Sequence, residues 1–287
     1  MNYCDLQMHS THSDGTDSPR RLVELAREAG LSTIALTDHD TTTGLPEARA
    51  AGDDLGVRVI SGVEITCEYG GKSMDMLGYC FDSGADALQA RLAEIQEGRR
   101  QRNLEIIGKL NALGHDISYE EVVAEADKSD GKIIGRPHFA TVMIRKGIVQ
   151  ERQEAFDKYL AEGGAAYVQK LAVSPEECVE MLRSAGGLAV LAHPKLIRFP
   201  AGVGIRDLLA ALKDAGLAGL ECYYSLHSPE EIQQYLALAK EFDLLPTGGS
   251  DYHGGNKPEI KVGIGLGDLR VPLSCAEGLL ARAAQAN

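Results

Sequence analysis

The chain has 287 residues, a formal net charge of −13, and a composition of 44% hydrophobic and 25% charged residues. This composition excludes a disordered chain, and the negative charge argues against long nucleic acid as a partner. The sequence shows no apolar run of transmembrane length, no leader and no paired spacing among its six cysteines, so we expect a cytoplasmic protein with reduced thiols and no membrane association.

Short apolar runs alternate with amphipathic helix patterns along most of the chain. The first strand-like run ends near residue 6, and the others cover 33–37, 57–63, 188–192 and 244–250. The predicted helices cover 18–30, 44–54, 174–185, 205–215, 229–243 and 275–285, and Ser-Pro pairs at Ser18, Ser174 and Ser228 place a capping hydroxyl before a proline. Apolar strands that alternate with helices predict a parallel sheet covered by helices, and polar strand ends favour a barrel.

The pattern differs between residues 85 and 165. Long charged helices are predicted here at 88–113, 119–126, 139–146 and 151–160, without a strand. We therefore expect a helical insertion at 85–165, lying over the strand ends of a barrel formed by 1–84 and 166–287. The charged run 97–102 indicates a solvated helix face.

Polar residues with metal-binding groups follow the strand-like runs. They are Gln7 and His9 after the first run, His39 between Asp38 and Asp40 after the second, Glu64 after the third, His193 after the fourth, and Asp251 and His253 after the fifth. Imidazole nitrogen and carboxylate oxygen suit Mn, Zn or Fe, and a carboxylate can bridge two ions. The pattern predicts a metal site at one edge of the sheet, with Asp38 and Asp40 orienting His39.

Five motifs occur in a characteristic order. They are Asp5-Leu6-x-x-His9-Ser10-x-x-Ser13-Asp14-Gly15, Thr37-Asp38-His39-Asp40, Gly62-Val63-Glu64, Ala192-His193-Pro194 and Gly249-Ser250-Asp251-x-His253. Together they resemble the PHP (polymerase and histidinol phosphatase) family of metallo-phosphoesterases over nearly the whole chain. The most similar branch comprises small phosphatases and phosphodiesterases with a helical insertion.

The resemblance implies a distorted seven-stranded (β/α) TIM-like barrel with up to three metals at its rim. It assigns position 7, His9, Glu64 and Asp251 to the first metal, Glu64, position 75 and His193 to the second, and Asp14, His39 and His253 to the third. It also implies a hydroxide that bridges the metals at Glu64 and attacks phosphorus. The substrate would be a small phosphorylated metabolite or nucleotide, either a phosphomonoester or a cyclic phosphodiester.

Two positions depart from the family pattern. Gln7 replaces the first histidine of a His-x-His pair, and Asp75 replaces a histidine before Leu-Gly-Tyr. Both side chains can still bind metal, and their oxygen atoms favour Mn or Mg over Zn. We expect two or three divalent ions per chain, Mn first, with Zn or Fe as alternatives. The altered centre also predicts a different specificity from that of His-x-His members, such as a cyclic phosphodiester.

Phosphate recognition requires cations beyond the metals. Arg136 lies where related phosphatases present an arginine, Lys195 and Arg198 follow His193, and Lys170, His227 and Tyr224 are further candidates. The proton for the leaving oxygen has several candidate donors: His193, His253, His12 or a metal-bound water. Two other functions remain open, a metal-dependent amidohydrolase and a degenerate barrel that binds a phosphorylated ligand without turnover. The sequence does not indicate an oligomeric state.

Overall fold

Eight strands fall within residues 2–128, 134–169 and 173–286, the parts of the chain that the computed structural model describes. They are β1 (Tyr3–Cys4), β2 (Thr33–Leu36), β3 (Arg58–Tyr69), β4 (Lys72–Tyr79), β5 (Leu188–Leu191), β6 (Gly219–Tyr224), β7 (Leu245–Gly249) and β8 (Val271–Pro272). Strands β2 to β7 form one sheet in chain order, and β1 pairs antiparallel with β8. The predicted strands at 33–37, 57–63, 188–192 and 244–250 are therefore confirmed.

The six-stranded sheet is mixed. β4 runs antiparallel to both β3 and β5, whereas the other neighbours in the sheet are parallel. The prediction of a parallel sheet is thus wrong at β4. Gly70 and Gly71 form a two-residue turn between the paired residues Tyr69 and Lys72, with φ of 57° and 78°. Positive φ at both central positions is what such a tight hairpin requires.

The segment that carries Gln7 lies between the two edge strands of this sheet. On the β2 side, the Ala35 N–H donates to the Asp5 carbonyl at 2.9 Å, and on the β7 side the Leu6 N–H donates to the Gly248 carbonyl at 3.1 Å. Past β7, the Asp251 N–H donates to the Gln7 carbonyl at 2.9 Å. The fold is mixed α/β as expected, with six strands in the sheet and this extended segment attached to both edges.

The helices follow the predicted order. They are α1 (Pro19–Glu28), α2 (Leu45–Leu55), α3 (Asp86–Ala112), α4 (Tyr119–Lys128), α5 (Arg136–Arg145), α6 (Arg152–Ala155), α7 (Pro175–Ser184), α8 (Ile205–Ala215), α9 (Pro229–Glu241) and α10 (Leu273–Ala286). Ser174 caps α7 by accepting from the Glu177 N–H at 3.1 Å, and the Glu177 carboxylate accepts from the Ser174 N–H at 2.8 Å. Ser228 and Glu231 repeat this capping box at α9. The predicted helix starts at both serines are confirmed.

Alternation along β4 divides the core of the sheet into two parts. Met76 belongs to the cluster that α1, α2, α7 and α8 cover, whereas Leu77 and Tyr79 belong to a second cluster that α10 covers. The Tyr79 hydroxyl also donates to the Leu6 carbonyl at 2.8 Å. This contact fixes the segment before Gln7 against the middle of the sheet.

The described residues between 86 and 160 form no strand, as predicted. Helices α3 to α6 occupy this region, and α6 continues into one π-helical turn over Phe156–Leu160. Ile106, Leu110, Phe139 and Met143 are buried in a cluster of their own. None of the helices in the described ranges is long and apolar enough to cross a membrane. The six cysteines all lie within those ranges and are free thiols.

Candidate metal centre

Six of the predicted metal ligands lie together at the edge of the sheet toward which the carboxyl ends of the parallel strands point. His9 follows β1, His39 follows β2, Glu64 lies inside β3, His193 follows β5, and Asp251 and His253 follow β7. Parallel strands bring the residues after their carboxyl ends to one edge. Glu64 reaches the same edge from mid-strand, because β3 continues beyond it to pair with β4.

Glu64 is the centre of this cluster. It is buried, with Oε2 3.0 Å from His9 Nε2 and Oε1 2.9 Å from His193 Nε2. Buried Gln7 donates from Nε2 to Glu64 Oε2 at 3.2 Å. Burial alone would raise the pKa of Glu64, but the surrounding histidines hold it well below the usual range. Glu64 is therefore ionised at neutral pH, and its two oxygens contact different partners, as a bridging ligand requires.

Asp14 gathers three histidines on another side of the cluster. Its Oδ1 lies 3.3 Å from His253 Nε2 and 3.7 Å from His9 Nδ1, and its Oδ2 lies 3.9 Å from His39 Nε2. Burial would raise the pKa of Asp14, but His39 and His253 hold it well below the usual range. This carboxylate is therefore also charged at neutral pH.

The donor atoms fall into three overlapping groups. These are His9, Asp14, His39 and His253; His9, Glu64 and Asp251; and His39, Glu64 and Asp75, each with donor atoms within 4.8 Å of one another. His193 borders the third group, with Nε2 3.9 Å from Asp75 Oδ2. The resemblance assigns Glu64, Asp75 and His193 to one metal, and the geometry adds His39 to their surroundings.

This arrangement fits divalent cations better than a hydrogen-bond network. Neither ring nitrogen of His9 has a hydrogen-bond partner among the described residues, although Nε2 lies 3.0 Å from Glu64 and 3.3 Å from Asp251. Gln7 Oε1 is also buried without a partner in that part of the chain. Unpaired buried polar atoms are costly, and a bound cation would satisfy nitrogen and oxygen donors gathered this closely.

The two acidic neighbours of His39 do not orient its ring as predicted. His39 Nδ1 is buried and has no hydrogen-bond partner within the described ranges. Asp38 instead accepts from the Ser10 N–H at 2.7 Å and from the Ser13 hydroxyl at 2.6 Å. Asp40 forms an ion pair with Arg99 on α3. The two carboxylates are therefore engaged by the loop after His9 and by α3.

A cavity of about 800 Å³ contains this cluster and four arginines of the helical region. Arg99 and Arg102 come from α3, Arg136 from α5 and Arg152 from α6. Arg102 is only 8% exposed, and its Nε donates to the Val168 carbonyl at 2.9 Å. Burial, together with Arg136 and Arg99, lowers the pKa of Arg102 to about 10. The cavity thus combines a cation-binding cluster with a concentration of positive charge.

The charged run 97–102 is only in part a solvated helix face. Glu97 and Arg100 are exposed and pair with each other at 2.8 Å, in agreement with the prediction. Arg99 and Arg102 line the cavity instead. They are three positions apart and continue the spacing of the buried residues Leu88, Leu92 and Ile95 along α3. This spacing is the sequence signal that the prediction of a solvated face overlooked.

The other predicted substrate contacts lie in different places. Arg136 and Tyr224 line the cavity. Lys195 pairs with Glu231 at 2.7 Å, Arg198 is exposed, and neither is among the described residues that line the cavity. These two cations are therefore not placed to contact a ligand in the cavity. Lys170 lies outside the described residues.

Two predicted histidines are engaged by their own neighbourhoods. His227 is buried and donates from Nδ1 to the Cys222 carbonyl at 2.9 Å. His12 lies on the loop after His9, and its Nδ1 is 2.7 Å from the Thr43 hydroxyl oxygen. Neither histidine belongs to the described lining of the cavity, whereas His193 and His253 do.

Lys257 is a cavity residue that the sequence analysis missed. Its Nζ donates to Asp251 Oδ2 at 2.6 Å. Its position six residues after Asp251, at the end of the same loop, is a signal that could have suggested it. Tyr224 donates to the same Asp251 oxygen at 3.1 Å.

Comparison with known proteins identifies the family of the chain. Residues 5–166 match the PHP domain. The chain is 34% identical to a 5′-3′ exoribonuclease from Haemophilus influenzae, over 87% of this chain and 89% of that protein. It is 33% identical to a 3′,5′-nucleoside bisphosphate phosphatase from Chromobacterium violaceum, over 90% of each chain. It is 31% identical to a phosphoribosyl 1,2-cyclic phosphate 1,2-diphosphodiesterase from Eggerthella lenta, over 89% of this chain and 97% of that protein.

A solved structure extends the agreement to the fold. A candidate metal-dependent phosphoesterase from Bifidobacterium adolescentis superposes with a TM-score of 0.82 at 32% identity, over 97% of this chain and 96% of that chain. The segment that matches the PHP domain contains His9, His39 and Glu64. The chain therefore belongs to the PHP domain family and is a metal-dependent phosphoesterase.

Proposed function

We propose that the protein hydrolyses a phosphoester of a small metabolite or nucleotide in this cavity. The observation that carries the proposal is the presence of the carboxylate and histidine cluster and four arginines in one space. Phosphoryl oxygens are anionic and are bound by both cations and guanidinium groups. An amidohydrolase would give the arginines no evident role, and a barrel without turnover would not require so complete a set of donors.

We assign two or three divalent ions to the cluster. The ligands are Gln7, His9, Glu64 and Asp251 for the first, Glu64, Asp75 and His193 for the second, and Asp14, His39 and His253 for the third. The oxygen atoms of Gln7 and Asp75 favour Mn, with Zn and Fe as alternatives. When bound, such ions supply a hydroxide near neutral pH and neutralise charge on phosphoryl oxygens.

We expect arginines of the helical region to hold the substrate. Arg102 and Arg136 are fixed by bonds to the carbonyls of Val168 and Leu160, at 2.9 and 3.2 Å, so their remaining N–H groups are positioned in advance. A histidine nitrogen that binds a cation has no proton to donate. We therefore expect solvent within the cavity to protonate the leaving oxygen, rather than His193, His253 or His12, which is not among the described residues that line the cavity.

We infer that the substrate carries a second anionic group. Neither Arg102 nor Arg136 pairs with a carboxylate of the described residues, and burial lowers the pKa of both. An anion bound by both arginines would offset the free-energy cost of burying their positive charges. The names of the two small-molecule relatives each describe a substrate with two phosphate groups, a nucleoside bisphosphate and a phosphoribosyl cyclic phosphate. A phosphomonoester and a cyclic phosphodiester both satisfy this inference, provided that each carries a second phosphate group.

A phosphorylated end of RNA is the second candidate substrate. The relative from Haemophilus influenzae is named an exoribonuclease, and the arginines could bind the next phosphate of a strand. The net charge of −13 argues against non-specific binding along a duplex, but not against capture of one end in a cavity lined by four arginines.

We also propose that the segment of residues 5–9 completes a seven-membered barrel. Its backbone bonds to β2 and β7 support this view. The helical region, placed at 85–165, would then be a subdomain inserted into a barrel of 1–84 and 166–287. Its separate core and its arginines in the cavity support this division.

The test is product release by the Mn-loaded protein. The panel contains a simple monoester, a nucleoside 3′,5′-bisphosphate, a phosphorylated sugar cyclic diester and a 5′-phosphorylated oligoribonucleotide. We expect turnover of a substrate with two phosphates, and a loss of about 100-fold or more in His39→Ala and Asp251→Asn. Exposed Asp268 provides the control variant Asp268→Asn. Near-wild-type turnover in His39→Ala or Asp251→Asn, with folding verified by circular dichroism, would refute the assignment of the centre.

A further inference from the structure

Lys257 is a cavity cation for which neither the family match nor the sequence motifs assign a role. It follows the 3-10 turn of Gly254–Asn256, directly after the predicted ligand His253. Gly255, Asn256 and Lys257 all line the cavity. The Asn256 side chain donates to the Asp14 carbonyl at 2.8 Å, which ties this loop to the cluster.

The two oxygens of Asp251 have different surroundings. Oδ1 lies 3.3 Å from His9 Nε2 and 3.5 Å from His253 Nδ1, within the metal-binding cluster. Oδ2 accepts from Lys257 Nζ at 2.6 Å and from the Tyr224 hydroxyl at 3.1 Å. One oxygen is thus available to a cation while the other holds an ammonium group. Asp251 therefore contacts both Lys257 and the metal-binding cluster.

The ammonium group of Lys257 has capacity for a further partner. A lysine carries three N–H donors, and the contact with Asp251 uses one of them. The side chain remains 36% exposed, and it is part of the cavity lining. The free donors are therefore accessible to a ligand in the cavity.

The position of Lys257 distinguishes it from the cavity arginines. Arg99, Arg102, Arg136 and Arg152 come from α3, α5 and α6 of the helical region. Among the described lining residues, Lys257 is the cation that belongs to the strand-end loops instead. It therefore lies beside the donor cluster, where the phosphoryl group that reacts must be held.

We propose that Lys257 is a catalytic residue that binds a non-bridging oxygen of the phosphoryl group undergoing hydrolysis. This inference rests on the proposed function and extends it. As the ester bond breaks, charge shifts toward the phosphoryl and leaving oxygens, and a fixed ammonium group stabilises it without reorganisation. The arginines would hold the second anionic group. The alternative role for Lys257 is a purely structural pair with Asp251.

The experiment measures the binding of inorganic phosphate to Mn-loaded protein by calorimetry, together with the Mn content and kcat/KM. In Lys257→Met we expect phosphate to bind about 10-fold more weakly or worse, with a similar loss of kcat/KM and an unchanged Mn content. Lys257→Arg retains the charge and should recover part of the phosphate affinity. Exposed Lys261 donates from Nζ to the Pro258 carbonyl at 2.8 Å and is not among the described residues that line the cavity, so Lys261→Met should behave as wild type.

The outcomes separate this inference from the function on which it rests. Phosphate affinity equal to wild type in Lys257→Met would overturn the role of Lys257 while leaving the phosphoesterase intact. Loss of Mn from that variant would also overturn it, because Lys257 would then act through Asp251. If Lys257→Met does not fold, Lys257→Gln provides the same comparison. A wild-type protein that neither binds phosphate nor hydrolyses any ester would overturn the proposed function, and this inference with it.

Discussion

Replacing Glu221 with glutamine should make the metal-free protein more stable above neutral pH. Glu221 lies in β6 and is fully buried, and its Oε2 accepts from the His193 N–H at 2.7 Å. Its Oε1 has no hydrogen-bond partner among the described residues. Burial raises the pKa of Glu221 from 4.5 to about 8. A glutamine oxygen can accept the same N–H and keep the turn at His193, where φ is 23°.

Proton linkage gives the direction and size of the change in unfolding free energy with pH. Because the pKa of Glu221 is higher in the folded state, the folded protein holds this proton between pH 4.5 and 8 while the unfolded chain loses it. The stability associated with the proton is therefore fully present below 4.5 and is lost as the pH rises through 8. Between pH 6 and 9 the wild type should lose about 2–3 kcal/mol more unfolding free energy than Glu221→Gln.

Urea unfolding in EDTA, followed by circular dichroism at several pH values between 6 and 9, measures this difference. Glu277 is exposed on α10, so Glu277→Gln controls for the loss of one acidic group. It should follow the wild-type pH dependence. Equal losses of unfolding free energy in wild type and Glu221→Gln would refute the reasoning that Glu221 is a protonated buried carboxyl.

The remaining predictions concern cation and substrate selectivity. Asp75→His replaces an oxygen donor 3.9 Å from His193 Nε2 with a nitrogen donor, so the affinity for Zn relative to Mn should rise about 10-fold in competition titrations; an unchanged ratio would mean that Asp75 does not bind a metal. Arg102→Met should raise KM for a substrate with two phosphates by about 10-fold or more and change KM for a simple monoester much less. Equal effects on both substrates would contradict the assignment of Arg102 to a second anionic group.

The strand-end residues could be predicted because strand polarity alone brings them together. His9, His39, His193 and Asp251 each follow a short apolar run, and parallel strands leave such residues at one edge. The cluster around Glu64 therefore follows from the order of motifs, without knowledge of the packing. The capping boxes at Ser174 and Ser228 were equally accessible, since they depend only on local spacing.

The residues that the sequence did not reveal depend on tertiary packing. Arg99 and Arg102 line the cavity because of how α3 lies over the sheet. Their spacing from the apolar residues of α3 marks them as inward-facing, but it does not show that a cavity rather than the core lies opposite them. Lys195 was expected in the site because it follows His193 closely, yet its side chain turns to Glu231. The reversal of β4 depends on Gly70 and Gly71, whose turn was not recognised among the many glycines of the chain.

The pairing between the two ends of the fold determines when the centre can form during synthesis. The His9 N–H donates to the Tyr252 carbonyl at 2.9 Å, and β1 pairs with β8. A nascent chain on the ribosome presents His9 and Glu64 long before Asp251 emerges. Such distant contacts close late and raise the contact order of the fold. Capture of the full set of cations should therefore coincide with the last folding step, so a partly made polypeptide carries no complete hydrolytic centre.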